Sequence, residues 1–286
     1  MAILMPGGPV GKALSEKTAQ NAARLRELGV TATLEVIRVG QRPEDMAYER
    51  AAMKRAQAVG VQVRQTLLPA DARPEELVAA LERVNRDDSV HGCLLFRPLP
   101  EQLSAPGLTE TLCPEKDVDG MTAAGLGGLM TVERGGFAPC TAEACMALLR
   151  HYGIAPCGRH AVVIGRSPVV GRPVSMLLLR ENATVTVCHT KTPDTAVLTR
   201  QADIIITAAG AVNSLTAAHV RPGQIVLDVS MNWNGTGLCG DADFPAVSSI
   251  VDAITPVPGG VGAVTSAVLM AHTVRAAEYL TGEGGA

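Results

Sequence analysis

The sequence predicts an α/β protein with two domains. Short aliphatic runs alternate with amphipathic stretches through both halves of the 286 residues, a pattern typical of parallel strands joined by helices. A glycine-rich stretch of little periodicity, residues 113–139, separates the two runs and places the domain junction there or just after it. In the second run, a strand, a glycine turn, a helix and a strand follow within about 30 residues, which indicates a Rossmann-type domain.

In the first half, apolar residues at helical spacing predict helices, and Gly29 and Gly60 stand where helix C-caps are expected. Runs of branched aliphatic residues predict strands, the last of which is interrupted by Pro98 and Pro100. The predicted helices are 12–28, 43–59 and 74–84, and the predicted strands are 32–39, 61–68 and 92–100.

The second half repeats the alternation and adds the loop TPVPGGVG (255–262) before a final helix. The predicted helices are 141–152, 172–180, one that ends at Gln201, and 266–279, and the predicted strands are 160–165, 184–189, 203–210 and 224–230.

Composition excludes several classes of protein. With 47% hydrophobic residues, 19% charged residues and a net charge of −3, the chain is too apolar for a disordered protein. Aromatic residues make up 2%, too few for a nucleic-acid stacking platform, and the five Lys and twenty Arg form no basic patch. No apolar run approaches the roughly 20 residues that span a membrane. We therefore expect neither nucleic acid nor membrane as a partner.

The seven cysteines are an odd number with no CxxC pair. Such usage indicates free thiols in a reducing compartment, which we take to be the cytoplasm. No His or Cys spacing suits zinc, so no metal is expected.

The turn that joins strand 160–165 to its helix is Gly165-Arg166-Ser167-Pro168-Val169-Val170-Gly171. Gly165 permits a tight turn, Gly171 permits close approach of a pyrophosphate, and Pro173 suits the first turn of the helix. Ser167 replaces the middle glycine of GxGxxG, so the turn also fits an ordinary βα loop whose glycines serve packing.

The end of the next strand bears on the choice of dinucleotide. NAD-binding domains usually place Asp or Glu there for the ribose 2′-hydroxyl, whereas this chain has His189, Thr190 and Lys191. With no acid to repel it and Arg166 nearby, a 2′-phosphate is favoured, so we expect NADP rather than NAD. The alternative is a solvated loop.

Four segments together resemble the methylenetetrahydrofolate dehydrogenase/cyclohydrolase family: PEKDVDGM (114–121), PCT (139–141), VVIGRSPVVGRPVSMLL (162–178) and ITPVPGGVG (254–262). The resemblance implies two α/β domains flanking a cleft, with a folate-binding domain over 1–140 plus 267–286 and an NADP-binding domain over 141–266. It also implies oxidation of 5,10-methylenetetrahydrofolate, hydrolysis of the methenyl product to 10-formyltetrahydrofolate, and a homodimer.

The resemblance also assigns site residues. It places Tyr48 and Asp119 in catalysis and substrate binding, where a carboxylate can accept two N–H bonds from a 2-aminopterin edge and an aromatic ring can pack along it. The other substrate residues are Leu95, Phe96, Pro258, Gly259, Gly260, Val261 and Gly262, and the cofactor residues are Gly165, Arg166, Ser167, Thr190 and Met231. The structural alternatives are that Asp119 caps a turn and that Tyr48 belongs to the core.

The chain departs from the family at the catalytic lysine. The family pattern is Tyr-x-x-x-Lys on one helix, but Ala52 stands four residues after Tyr48, and Lys54 points to another face. The glutamine of the family's VQLPLP strand, which binds that lysine, is Phe96 here. Since a glutamine without its ammonium partner would be under-satisfied, the two changes together indicate one remodelled site. The alternative is a slip of register in the comparison with the family pattern, although Tyr48 and Gly60 keep the family spacing.

Three readings follow. The first is an NADP-dependent dehydrogenase whose cyclohydrolase step is weak or absent. The second keeps both activities through another proton carrier, with Glu49, Arg50 and Arg97 as candidates, although strand alternation directs Arg97 away from the side that Phe96 faces. The third is a folate- or nucleotide-binding protein without catalysis.

Overall fold

The structure is a computed structural model that describes residues 2–131 and 136–283. The predicted junction stretch 113–139 is thus described except for residues 132–135. The chain forms two compact units. The six-stranded unit comprises the residues up to Gly11 together with Thr141–Thr265, and the three-stranded unit comprises Lys12–Cys140 together with the residues from Ser266 onward.

The elements of both units are numbered here in chain order. The strands are β1 Ile3–Leu4, β2 Thr33–Val39, β3 Gln62–Leu68, β4 Gly92–Leu95, β5 His160–Ile164, β6 Thr184–Cys188, β7 Ile204–Thr207, β8 Ile225–Asp228, β9 Asn232–Trp233, β10 Leu238–Cys239 and β11 Ala253–Ile254. The helices are α1 Gly7–Glu27, α2 Pro43–Val59, α3 Pro74–Arg86, α4 Ala123–Gly128, α5 Cys140–His151, α6 Gly171–Arg180, α7 Thr195–Thr199, α8 Phe244–Ser248 and α9 Thr265–Leu280.

The three-stranded unit is built on a parallel sheet in the order β3-β2-β4. Every residue of β2 is buried, as expected for the central strand of a sheet covered on both faces. The aliphatic core under this sheet includes Ile37, Leu77, Leu81 and Leu95. These contacts pack α3 against the sheet and fix the end of β4, which carries predicted site residues.

The six-stranded unit has a sheet in the order β1-β11-β8-β7-β5-β6, and every pairing is parallel. The order runs outward from β5 in both directions, which is the doubly wound arrangement of Rossmann folds. β7 and β8 are buried throughout, and Val162, Ile205 and Val226 pack together in the core. The predicted α/β fold with a Rossmann-type second domain is therefore confirmed.

The amino terminus differs from the predicted domain division, which put residues 1–140 together. β1 pairs with β11, with Ile3 opposite Ala253. The backbone N–H of Gly7 donates to the carbonyl oxygen of Gly259 at 2.8 Å. The residues up to Gly11 therefore belong to the six-stranded unit. A two-residue strand is too short to show a periodic pattern, which explains why the sequence did not reveal it.

Two predicted elements differ from the structure by five residues at one end, more than the others do. The first helix begins at Gly7 instead of residue 12. The predicted strand 92–100 stops at Leu95 and is followed by a turn with a cis peptide bond between Arg97 and Pro98. Alternation of side chains along a strand therefore does not apply at Arg97.

Candidate active site

Helix α2 presents one buried face and carries two of the predicted positions. Pro43 occupies its first turn and Gly60 ends it with φ 79°, as favoured at these positions. Ala52 is 2% exposed, whereas Lys54 is exposed, as helical spacing predicts. The lysine that the chain has near this point therefore lies on the outer face of α2.

Tyr48 and Phe96 meet in the three-stranded unit. Their ring centroids are 5.9 Å apart and their planes are at 84°, an edge-to-face contact. Phe96 is 9% exposed, and its N–H donates to the carbonyl oxygen of Ile37 at 3.0 Å. Leu95, next to it, is part of the buried core. The structure thus brings together Tyr48 and the aromatic ring that replaces the family's glutamine.

The two aspartates of the DVDG segment play different parts. Asp117 is fully buried, and its two carboxylate oxygens accept the N–H groups of Met121 at 3.0 Å and Thr122 at 2.7 Å. Gly120 has φ 61°, and a Cβ there would lie 2.4 Å from the carbonyl oxygen of Phe137. Asp117 and Gly120 therefore build the turn, whereas the side chain of Asp119 stays partly exposed.

Arg97 contacts Asp119, a pair that was not expected from the sequence. Its Nη2 lies 3.5 Å from Oδ2 of Asp119, and the two side chains are 30% and 25% exposed. Burial raises the pKa of the Asp119 carboxyl, while Arg97 and hydrogen bonds from Cys140 oppose that rise. No pattern in the sequence indicated this pair, because Arg97 follows the strand instead of lying in it.

Glu49 lies in a buried ion pair. Its Oε2 accepts from Nε of Arg38 at 2.8 Å, and the side chains are 6% and 8% exposed. Its other oxygen accepts from the amide of Gln65. Arg50 is exposed on the opposite side of α2.

In the six-stranded unit, the turn after β5 leaves no room for side chains at its two glycines. Gly165 has φ 115°, and a Cβ on it would lie 2.2 Å from the carbonyl oxygen of Ala208. A Cβ on Gly171 would lie 2.2 Å from the carbonyl oxygen of Gly165. Ser167 accepts the N–H of Val170 at 3.1 Å, and Arg166 is exposed. The glycines thus pack the turn and also give the bare backbone that a pyrophosphate needs.

The loop after β6 folds into a compact turn. The N–H of His189 donates to Oγ1 of Thr192 at 2.9 Å, and the N–H of Lys191 donates to Nδ1 of His189 at 3.1 Å. Thr190 and Lys191 are exposed. Hydroxyl and ammonium groups therefore line a turn whose sequence contains no acid, a composition that suits a 2′-phosphate.

Asp241 was not found from the sequence, yet it organises the ends of β7 and β8. It is fully buried and accepts five hydrogen bonds of 2.6–3.0 Å, from Thr207, Ala209, Ala211, Ser230 and Asn232. These bonds hold both residues that flank the exposed Met231. An aspartate in the segment GDAD (240–243) gives no periodic signal, and its role depends on contacts distant in sequence.

Asp228 supports the same arrangement. Its oxygens accept the N–H groups of Asp241 and Ala242, each at 2.9 Å. Burial raises the pKa of Asp228 to about 6, and these backbone bonds oppose that rise. A Cβ on Gly240 would overlap this carboxylate, which explains glycine at that position.

The loop from Pro258 to Gly262 also lies in the six-stranded unit. Val261 is 1% exposed and begins a short 3₁₀ helix, Val261–Ala263. Gly260 is buried against the carbonyl oxygen of Pro256, which a Cβ would approach to 2.4 Å. Pro258, Gly259 and Gly262 are exposed.

Residues 2–131 and 136–283 contain neither a metal-binding cluster nor a membrane-spanning helix. No group of three or more His, Cys, Asp or Glu side chains there could hold a metal ion. No helix in this part of the chain is both long and apolar enough to cross a membrane.

Comparison with family models accounts for nearly the whole chain. Residues 5–119 match the catalytic domain of tetrahydrofolate dehydrogenase/cyclohydrolase, and residues 139–281 match its NAD(P)-binding domain.

Individual proteins are similar over their full length. The bifunctional protein FolD of Methylibium petroleiphilum is 46% identical over 277 residues, covering 96% of this chain and 98% of the relative. That of Carboxydothermus hydrogenoformans is 42% identical, covering 99% of each.

Solved structures agree with these matches. The Campylobacter jejuni FolD methylenetetrahydrofolate dehydrogenase/cyclohydrolase has a TM-score of 0.94 and 39% identity, covering 98% of this chain and 99% of its own. The Trypanosoma brucei FolD, solved with NADP cofactor and an inhibitor, has a TM-score of 0.91 and 34% identity, covering 97% and 98%.

Proposed function

The chain belongs to the tetrahydrofolate dehydrogenase/cyclohydrolase family, and we propose that it is an NADP-dependent methylenetetrahydrofolate dehydrogenase with little or no cyclohydrolase activity. The statement that cyclohydrolase activity is lost rests on one arrangement: Ala52 is buried, and the ring of Phe96 contacts the ring of Tyr48. Relatives named as bifunctional support the dehydrogenase activity.

Binding of NADP is supported by the fit of the turn after β5. A Cβ on Gly165 or Gly171 would lie 2.2 Å from a carbonyl oxygen, so the turn closes tightly only with glycine at both positions and leads into the start of α6, where backbone N–H groups would face the pyrophosphate. Arg166, Ser167, Thr190 and Lys191 would face the ribose and its phosphate. When bound, the nicotinamide accepts a hydride from the substrate. Loops held by Asp241 would place Met231 beside it.

Hydride transfer depends mainly on positioning. Tyr48 would pack along the folate ring, and Asp119 would accept N–H bonds from the pterin. Leu95, Phe96 and the loop Pro258–Gly262 complete the predicted substrate contacts. The residues that this step needs are retained, so oxidation of the methylene carbon is expected.

Hydrolysis of the methenyl bridge needs a group that activates water and carries protons. Ala52 has no such group, and Lys54 lies on the exposed face of α2. The other candidates fit poorly as well: both oxygens of Glu49 are engaged, Arg50 is exposed, and a guanidinium such as that of Arg97 does not deprotonate in proteins. The structure therefore favours the first reading over the second.

The test is a paired assay on the purified enzyme. The enzyme is mixed with 5,10-methylenetetrahydrofolate and either NADP⁺ or NAD⁺, and formation of NADPH or NADH is followed. Formation of either reduced cofactor distinguishes an enzyme from a non-catalytic binder. Decay of the methenyl absorbance then measures hydrolysis, which we expect at the spontaneous rate. Gain of hydrolysis in the double variant Ala52→Lys, Phe96→Gln supports the remodelling account, whereas fast hydrolysis by the wild type contradicts it.

The homodimer and the cytoplasmic location expected from the sequence are further proposals. Sedimentation of the purified chain tests the first, and cell fractionation tests the second.

A further inference from the structure

Arg97 stands where the family's VQLPLP strand has leucine, and the resemblance gives it no role. Its Nη2 lies 3.5 Å from Oδ2 of Asp119, and both side chains are partly exposed. A permanent cation therefore touches the carboxylate that is proposed to bind the substrate.

The backbone of Arg97 is held by a second ion pair. Arg42, at the start of α2, binds Asp45 through two hydrogen bonds of 2.8 Å. The same guanidinium donates to the carbonyl oxygen of Arg97 at 3.1 Å. Asp45 is 6% exposed in the first turn of α2. Arg97 is thus tied to the helix that carries Tyr48.

We propose that Arg97 is a positioning residue for substrate binding, which keeps the Asp119 carboxylate ionised and turned toward the paired N–H donors of the substrate's heterocycle. This inference rests on the proposed function, since it takes a 2-aminopterin edge as the partner of Asp119. An ionised carboxylate accepts at both oxygens, whereas a protonated one carries a donor of its own. A protonated Asp119 would therefore lose one of the two substrate bonds.

Among the residues that the structure describes, three face Asp119 from the elements around it. Arg97 follows β4, Cys140 begins α5, and Asp117 belongs to the same loop. Burial, the largest influence, and Asp117 raise the pKa of Asp119, and Arg97 and Cys140 lower it. Removal of Arg97 therefore raises this pKa further. Substrate affinity then falls as the pH decreases through the raised value and is retained above it.

The experiment compares KM and kcat of four proteins between about pH 6 and about pH 8.5. They are the wild type, Arg97→Leu, Arg97→Lys and the control Arg50→Leu, which removes the same charge from the exposed face of α2. Titration of the substrate itself is common to all four. Unfolding in urea is measured in parallel to show that each variant is folded.

For Arg97→Leu we expect the ratio of its KM to that of the wild type to grow as the pH falls toward about 6, with a limit of about tenfold if the pKa of Asp119 rises by one unit. Near pH 8.5 its KM should lie within about threefold of the wild type, and kcat should change less than about twofold at either pH. Arg97→Lys should restore most of the acid-side affinity because it retains the charge, and Arg50→Leu should follow the wild type.

A KM profile of Arg97→Leu parallel to that of the wild type overturns the proposal, as does tighter binding at every pH. Calorimetric titration with tetrahydrofolate at the same pH values separates this inference from the proposed activity. If the wild type binds but does not turn over, the activity proposal fails, and the shift in Kd still decides the role of Arg97. Absence of that shift overturns the role.

Discussion

Replacement of Glu49 by glutamine tests whether this acid is structural or a proton carrier. The carboxylate lies 2.8 Å from Arg38, with side chains 6% and 8% exposed. Removing one partner of such a pair leaves an uncompensated buried charge and costs about 3–5 kcal/mol. Glu49→Gln should therefore lower the free energy of unfolding by that amount, and the melting temperature by on the order of 10 °C.

A double-mutant cycle in urea supplies the control for this prediction. Arg38→Met should destabilise to a similar extent, while Arg38→Met combined with Glu49→Gln should cost at least about 2 kcal/mol less than the sum of the singles. NADPH formation per folded enzyme should stay within about twofold of the wild type. The reasoning would be refuted if each single variant lost less than about 1 kcal/mol of unfolding free energy and the two losses were additive. It would also be refuted if Glu49→Gln lost hydrolysis selectively while its stability was unchanged.

Two further predictions concern charged side chains elsewhere. Arg166→Ala should raise KM about tenfold for NADP⁺ and less than about twofold for NAD⁺, because one charge-assisted bond to the 2′-phosphate is lost. Equal effects on the two KM values would show that Arg166 does not bind this phosphate. Lys116→Met should cost about 3 kcal/mol in urea unfolding, because its buried ammonium donates to three carbonyl oxygens at the end of α3 at 2.7–3.2 Å. The exposed Lys12→Met is its control, and a loss at Lys116 no larger than the control's would contradict the assignment.

Patterns within short stretches of the sequence predicted most of the strands and the glycine turn after β5. Alternating aliphatic and amphipathic runs predicted β2 to β8, and the glycine turn predicted the β5-α6 unit, because burial and turn geometry act within a few residues. Helical spacing also predicted that Ala52 lies on the same face of α2 as Tyr48 and that Lys54 lies on another face.

Features that depend on distant partners were missed. β1 pairs with a strand about 250 residues later, with Ile3 opposite Ala253. Asp241 accepts hydrogen bonds from five residues in two stretches of the chain, 207–211 and 230–232. The contact of Arg97 with Asp119 was missed because the strand ends at Leu95 and strand alternation does not apply beyond it. In each case the deciding contact joins residues whose spacing along the chain carries no signal.

The central claim is that oxidation and hydrolysis are uncoupled in this enzyme. The most direct measurement is the amount of 5,10-methenyltetrahydrofolate that accumulates for each NADPH formed in one reaction, with both compounds resolved by chromatography. With Ala52 and Phe96 in place, the account predicts a ratio close to one, reduced only by spontaneous hydrolysis. A ratio close to zero, with 10-formyltetrahydrofolate as the product from the start of the reaction, would contradict it.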